Sequence, residues 1–341
     1  MRKSHLIAAA LHKTGGTRLL DLLWGNNRLT VLAYHRIIES DSDDFTYYQP
    51  NVSATPAMFK DQMDFVDKRF NVINLDALVA FIEDGKPLPP RPLLITFDDG
   101  YLDNYENAFP ILKSYGFPAV IFLMTASMDN PVRPWWDACA YYFQHTAKSI
   151  ISLPIGSFQI NVPEDRIRIR EAVMRQLKKL PEIEKQAVMA ALPEATDVKP
   201  PIDPPLFVNW DQVRDLVANG VACQPHTVTH PILTRIPDDE VQRQLTESRD
   251  CIKTETGQAI TAFAYPNGTP ADYNKAAIEI LRNLDYKVAF TLTPGPAKLD
   301  TVKEHPLQIA RVFLGRRDTF ETFVLKVMGA PALTDKSKFI T

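Results

Sequence analysis

Seven apolar runs of strand length alternate with segments of helical periodicity along this chain, and few folds accommodate that pattern. The runs lie at residues 29–34, 93–97, 119–123, 220–224, 262–265, 288–292 and 307–314. Between them, residues 56–69, 108–115, 211–219, 238–256 and 274–284 carry apolar side chains at helical spacing. In the first of these, Met58, Phe59, Met63, Phe65 and Val66 form the stripe. Strands separated by helices predict a largely parallel sheet with crossover connections, either an open sheet or a barrel. His35, Asp98, Asp99, His226, Tyr265 and Arg311 all lie at or near the ends of runs. In a (β/α) barrel those ends converge on one mouth, which favours the closed form. The expectation is an α/β chain, a distorted (β/α) barrel of about seven parallel strands spanning 29–315.

One stretch breaks the alternation. Residues 131–207 open on Pro131-Val132-Arg133-Pro134-Trp135-Trp136-Asp137 and carry a charged helical pattern near 164–192. They close on Pro200-Pro201-Ile202-Asp203-Pro204-Pro205. This reads as an insertion between stiff connections, either a structural flap or a lid with paired tryptophans for sugar stacking. Residues 1–28 suit short amphipathic helices, and residues 316–341 a C-terminal helix and tail.

Composition narrows the partners. A net charge of −3 gives no reason to expect nucleic acid, and nothing implies a protein partner. Cys139, Cys223 and Cys251 are too few and too scattered for a disulfide framework, which favours a reducing, cytoplasmic setting. Near the N-terminus, His12 and Lys13 end an apolar run that is short for a signal peptide and far short of a membrane span. Peripheral membrane association through those amphipathic segments is the second reading for residues 1–28.

The chemistry is concentrated in two places. Leu94-Ile95-Thr96-Phe97-Asp98-Asp99-Gly100 ends an apolar strand on two carboxylates. Successive strand side chains point to opposite faces, so both can serve one site only if the chain turns there, and Gly100 allows a turn. In Pro225-His226-Thr227-Val228-Thr229-His230-Pro231 two imidazoles stand four apart, the spacing of one side of a short helical turn. A carboxylate and two imidazoles make a three-ligand set for a divalent ion with a position left open. The other carboxylate is then available as a base, and the combination points to metal-assisted hydrolysis.

Together these segments resemble the polysaccharide deacetylase family, carbohydrate esterase family 4. Thr96–Gly100 matches its Thr-Phe-Asp-Asp-Gly motif without change, and His226–His230 its His-Ser/Thr-x-x-His motif. Phe263–Gly268 and Val288–Gly295 are similar to later elements, and Trp210, Leu216 and Gly220 to the helix before the His motif. The resemblance implies that Asp99, His226 and His230 bind the metal and that Asp98 is the general base. It also implies that the Asn267 N–H, after Tyr265 and Pro266, helps hold the oxyanion. Such a ligand set suits zinc, with cobalt, nickel or iron as alternatives.

Two departures stand out. Many members carry an arginine that holds the base just before the Tyr-Pro element, where this chain has Phe263-Ala264. Many take the catalytic acid from a Leu-x-His, where this chain has Ile309-Ala310-Arg311. Arg311 is a candidate to pair with Asp98 instead. Tyr34-His35 resembles the opening strand of the poly-N-acetylglucosamine deacetylase subgroup, which makes His35 the candidate acid and Tyr34 a candidate substrate contact. The implied activity is metal-dependent N-deacetylation of a sugar in a polysaccharide or glycolipid precursor of the cell envelope. Hydrolysis of another non-peptide C–N bond, or sugar binding by a catalytically impaired homologue, are the alternatives.

Overall fold

The computed structural model describes residues 27–329, apart from residue 43 and residues 129–132. The helices expected over 1–28 fall almost wholly outside the described residues, as does the tail from 330.

Seven parallel strands form the centre: β1 (Arg28–Tyr34), β2 (Pro92–Phe97), β3 (Ala119–Leu123), β4 (Val221–Pro225), β5 (Ala262–Ala264), β6 (Val288–Pro294) and β7 (Ile309–Phe313). Their order across the sheet is β5-β6-β7-β1-β2-β3-β4, so the first and last places belong to consecutive strands. The sheet is therefore a nearly closed barrel. Asn71–Val72 pairs parallel with the start of β2, and Ala297–Lys298 pairs antiparallel with β1.

Side chains rather than a strand ladder span the seam between β4 and β5. The buried Gln224 carboxamide accepts from the N–H groups of Thr261 and Ala262, both at 3.0 Å, and donates to the Ala259 carbonyl at 3.1 Å. Gln258 accepts from the Cys223 N–H at 3.0 Å. A strand edge that would be left with unpaired groups is satisfied in this way.

Alternation along the strands sorts the side chains into two layers. Leu29, Val31, Leu94, Val120, Phe122, Ala262, Ala264, Val288, Phe290 and Ile309 form one cluster, the barrel interior. The opposite parity, including Leu32, Tyr34, Ile95, Phe97 and Ile121, packs against the surrounding helices. Those helices begin where their sequences supply caps. Thr55 accepts from the Met58 N–H ahead of Pro56–Arg69, and Asn209 forms a reciprocal box with Gln212 ahead of Trp210–Ala218. The C-terminal helix Phe320–Val327 joins this outer layer, with Phe320 and Phe323 packed edge-on against Phe65.

The insertion has its own structure. Helix Trp135–His145 leads to a hairpin of Ile150–Leu153 and Gly156–Gln159, then to helices Asp165–Leu177 and Glu182–Thr196. The single helical pattern expected near 164–192 is two helices, because Pro181 cannot continue the first and serves as the N-cap of the second. A buried ion pair between Arg133 and Asp203 ties the two ends of the insertion together.

Candidate active site

The last inward-facing positions of several strands meet at the mouth. Asp98 follows β2, and its N–H donates to the Tyr34 carbonyl at 2.9 Å. His226 follows β4, and its N–H donates to the Leu123 carbonyl at 2.9 Å. Arg311 lies on β7 and is completely buried. By parity Asp99 would point away, but its φ of 75° followed by 78° at Gly100 turns it back. The turn thus starts at Asp99 itself. Gly100 is required there, because a Cβ would lie 2.7 Å from Leu123 Cδ2 in a backbone region that side chains disfavour.

The histidine segment is not the helical turn that its spacing predicts. Thr227 and His230 take φ of 71° and 57°, and a sequence of bends replaces the helix. The Thr227 hydroxyl oxygen accepts from the His230 N–H at 2.9 Å, and Gln244 Oε1 accepts from the N–H groups of Val228 and Thr229. These side-chain bonds stand in for the helical ones. The rings still converge, with centroids 4.7 Å apart.

Asp99 Oδ1 lies 3.7 Å from His226 Nε2 and 3.6 Å from His230 Nε2. One donor atom from each of the three residues falls within 4.8 Å of the others. His226 Nδ1 sits 2.7 Å from the Ala264 carbonyl, which can only accept, so Nδ1 carries the proton and Nε2 is offered to the centre. Asp99 Oδ1 is buried with no hydrogen-bond partner. An orphaned carboxylate oxygen facing two imidazole nitrogens fits a divalent cation and leaves room for further ligands. Without a cation, burial and the nearby Asp98 and Asp137 push the Asp99 carboxyl well up, while burial pushes both imidazoles down.

Asp98 is held differently. Burial alone would raise its carboxyl, but Arg311 and His226 hold it well below the ordinary carboxylate range. Arg311 Nη1 and Nη2 donate to the two Asp98 oxygens, both at 2.7 Å. Arg311 also donates to the Thr291 carbonyl at 3.0 Å and the Thr96 hydroxyl at 3.2 Å. An arginine absent from the Phe263-Ala264 region thus reaches Asp98 from β7.

His35 stands at the same mouth, close enough to feel the charges of Asp98, Arg311 and His226. Its N–H donates to Ser53 Oγ, its carbonyl accepts from Asn104 Nδ2, and its ring packs edge-on against Phe313. Its Nδ1 is buried with no partner. After β5, Pro266 is buried, Asn267 takes φ of 58°, and the Pro266 carbonyl accepts from the Gly268 N–H. A Cβ on Gly268 would fall 2.8 Å from the Leu292 nitrogen, so this loop also needs its glycine.

Two tyrosines are not at the mouth. Tyr34 has the outward parity, is fully buried and donates to Gln62 Oε1 at 2.8 Å, beside Phe59 and Phe97. The Tyr265 side chain is one residue out of phase with Ala264. It stacks on Tyr273 and donates to the Leu307 carbonyl at 2.9 Å. Strand ends place every second residue in the site, and both tyrosines fall on the other count. His305 is exposed and precedes β7, at the end of the barrel opposite the mouth.

The insertion also reaches the mouth. Trp136 is buried with its ring 4.9 Å from that of His230, while Trp135 is half-buried against Trp136 and Lys185. Gln224, Tyr101 and Asp137 support the site, although motif reading passes over them. Their trace in the sequence is a polar residue in an apolar strand and an aromatic–acid cluster beside a motif.

The polysaccharide deacetylase family model matches residues 85–289, more than half of the chain and both motifs. The chain belongs to the polysaccharide deacetylase family. Among curated relatives, the poly-β-1,6-N-acetyl-D-glucosamine N-deacetylase of Escherichia coli K12 is 21% identical over 307 residues. That match takes in 89% of this chain but only 39% of the relative. Among solved structures, the Streptococcus pyogenes deacetylase PplD, in complex with acetate, superposes with a TM-score of 0.60 at 17% identity. It covers 89% of this chain and 99% of its own. IcaB from Ammonifex degensii gives 0.55 at 19% identity, covering 87% and 94%. These likenesses show that the deacetylase barrel is shared. No helix among the described residues is long and apolar enough to cross a membrane.

Proposed function

We propose that this polysaccharide deacetylase is a metal-dependent N-deacetylase of β-1,6-linked poly-N-acetylglucosamine or a precursor of it. The observation that carries the reading is the Asp99–His226–His230 cluster, with its carboxylate and first imidazole buried, beside an ionised Asp98. The name of the Escherichia coli relative supports the sugar class. Asp99, His226 and His230 would hold the ion, and a nitrogen-rich set with one carboxylate favours zinc. When bound, a divalent ion supplies a Lewis acid that polarises the acetamide carbonyl and makes a nearby water acidic.

The chain's own residues do the rest. Asp98 accepts the proton of the attacking water, and the Arg311 fork keeps its carboxylate ionised and aimed. Attack forms the C–O bond and leaves negative charge on the acetamide oxygen, for which the Asn267 N–H is the candidate donor. Breaking the C–N bond requires a proton on the leaving nitrogen, and His35 is the candidate to supply it. Burial holds this imidazole down to about 4, so it rests neutral. It would act as an acid only after taking up a proton. The one that Asp98 accepts from the attacking water is available to it once the negative tetrahedral centre raises the affinity of the imidazole.

Acetate release from β-1,6-linked N-acetylglucosamine oligomers, β-1,4-linked oligomers and a simple non-sugar acetamide tests the proposal on zinc-loaded protein. Preference for the first is expected. Preference for the non-sugar amide would favour a different C–N hydrolase, and zinc retention with no acetate from any substrate would favour a binding protein.

A further inference from the structure

The two histidines of the cluster are supported unequally. The Ala264 carbonyl holds His226 through Nδ1. The main chain of His230 is fixed by Thr227, but its ring has no hydrogen-bond partner among the described residues. An imidazole that ligates a metal usually donates its second nitrogen to a neighbour, which sets the ring's angle. What meets the His230 ring instead is an indole. Trp136 lies against it at 4.9 Å with an interplanar angle of 66°.

That indole is itself held by a directed chain. Trp136 Nε1 can only donate, and it does so to the Tyr101 hydroxyl at 2.7 Å. The Tyr101 hydroxyl donates in turn to Asp137 Oδ2 at 2.9 Å, and Asp137 Oδ1 accepts from the Tyr48 N–H at 2.7 Å. The Tyr101 ring stacks on Phe207 at 5.0 Å, and the Arg36 guanidinium lies 4.6 Å from its centroid. Tyr101 is two residues beyond Asp99. The Val208 N–H donates to the Gly100 carbonyl, and the Leu102 N–H to the Leu206 carbonyl, so the returning end of the insertion is bound to the same loop. One buried hub thus joins the Asp99 turn, both ends of the insertion and the face of His230.

We propose that Trp136, anchored by Tyr101 and Asp137, is a positioning residue that fixes the His230 imidazole, so that the insertion sets the affinity and geometry of the ion site. This rests on Asp99, His226 and His230 being the ligands. Trp136 offers no ligand atom, since its one polar group donates to Tyr101; it removes the freedom of a ligand that lacks a hydrogen-bonded support.

The test is competition of the full-length protein against a chelator for Zn²⁺, with the visible spectrum of the Co²⁺ form read in parallel. Tyr101→Phe removes one oxygen, Trp136→Phe keeps an aromatic ring without the N–H, and Trp136→Ala removes the support altogether. All three are expected to bind about tenfold to hundredfold more weakly, the usual scale for an outer support of a metal ligand. The cobalt bands should also shift, which a purely structural role would not produce. If Trp136→Ala does not fold, Tyr101→Phe and Trp136→Phe carry the comparison. His226→Ala, in the same titration, separates the two claims. If it loses the ion while the folded Trp136 and Tyr101 variants keep wild-type affinity and spectrum, the positioning role is overturned. If His226→Ala itself binds like wild type, the ligand assignment falls, and the positioning role with it.

Discussion

His35 is committed on both sides of its main chain, to Ser53 and to Asn104, while its ring faces the mouth with Nδ1 unpartnered. Burial lowers the imidazole to about 4, with Asp98 acting against the shift and Arg311, His226 and Lys178 adding to it. The unfolded chain therefore binds a proton near 6.5 that the folded chain refuses. The stability this neutral imidazole contributes is full above about 6.5 and is lost as pH falls toward about 4. With chelator present, the urea midpoint of wild type should fall more steeply across that window than that of His35→Gln; parallel curves would contradict the burial argument. At this scale the sequence was informative where chemistry and parity agreed. Asp98, His226 and Arg311 occupy the inward count of their strands, and Asp99 reaches the cluster because its own backbone turns. Tyr34 and Tyr265 carry suggestive side chains one residue out of phase, and no motif distinguishes an inward from an outward tyrosine.

Strand placement was legible because it rests on apolar runs that differ from the observed strands by only one or two residues at most ends. The seam and the histidine loop were not. Gln224 is visible in the sequence as a polar residue in an apolar run, yet its three partners lie more than thirty residues away, on the approach to and start of β5. The His226–His230 spacing suits a helical turn, but Gln244, in the second turn of the helix Asp238–Thr256, captures the N–H groups of Val228 and Thr229. Gln224→Leu would bury two donors and one acceptor without partners. At roughly 1 kcal/mol or more for each unsatisfied group, a loss of about 3 kcal/mol is expected in denaturant unfolding. A loss below about 1 kcal/mol would mean that the seam closes without this side chain.

Across the whole molecule, the insertion and the barrel share the site. Its proline-bounded ends could be read from the sequence, but its docking could not, since that depends on contacts such as Trp136 with His230 that join distant segments. The Arg133–Asp203 pair closes the base of the insertion, and Arg133 also donates to the Thr46 carbonyl at 2.8 Å. Asp203→Ala leaves that guanidinium buried without its carboxylate, a change that costs about 3 kcal/mol or more in comparable sites. Hydrogen exchange should quicken across residues 135–196 while the barrel strands keep their protection; equal quickening everywhere would show that the insertion does not open as a unit.

The central claim is that an ionised Asp98, held by Arg311 beside a separate ion-binding cluster, takes the proton from the water that removes the acetyl group. Acetate release from a β-1,6-linked N-acetylglucosamine oligomer by Asp98→Asn, with bound zinc quantified in the same sample, tests it most directly. The expected result is zinc retained at the wild-type level and a rate lower by at least about a hundredfold, the scale of a positioned general base. Near-wild-type acetate release with zinc retained would contradict the account.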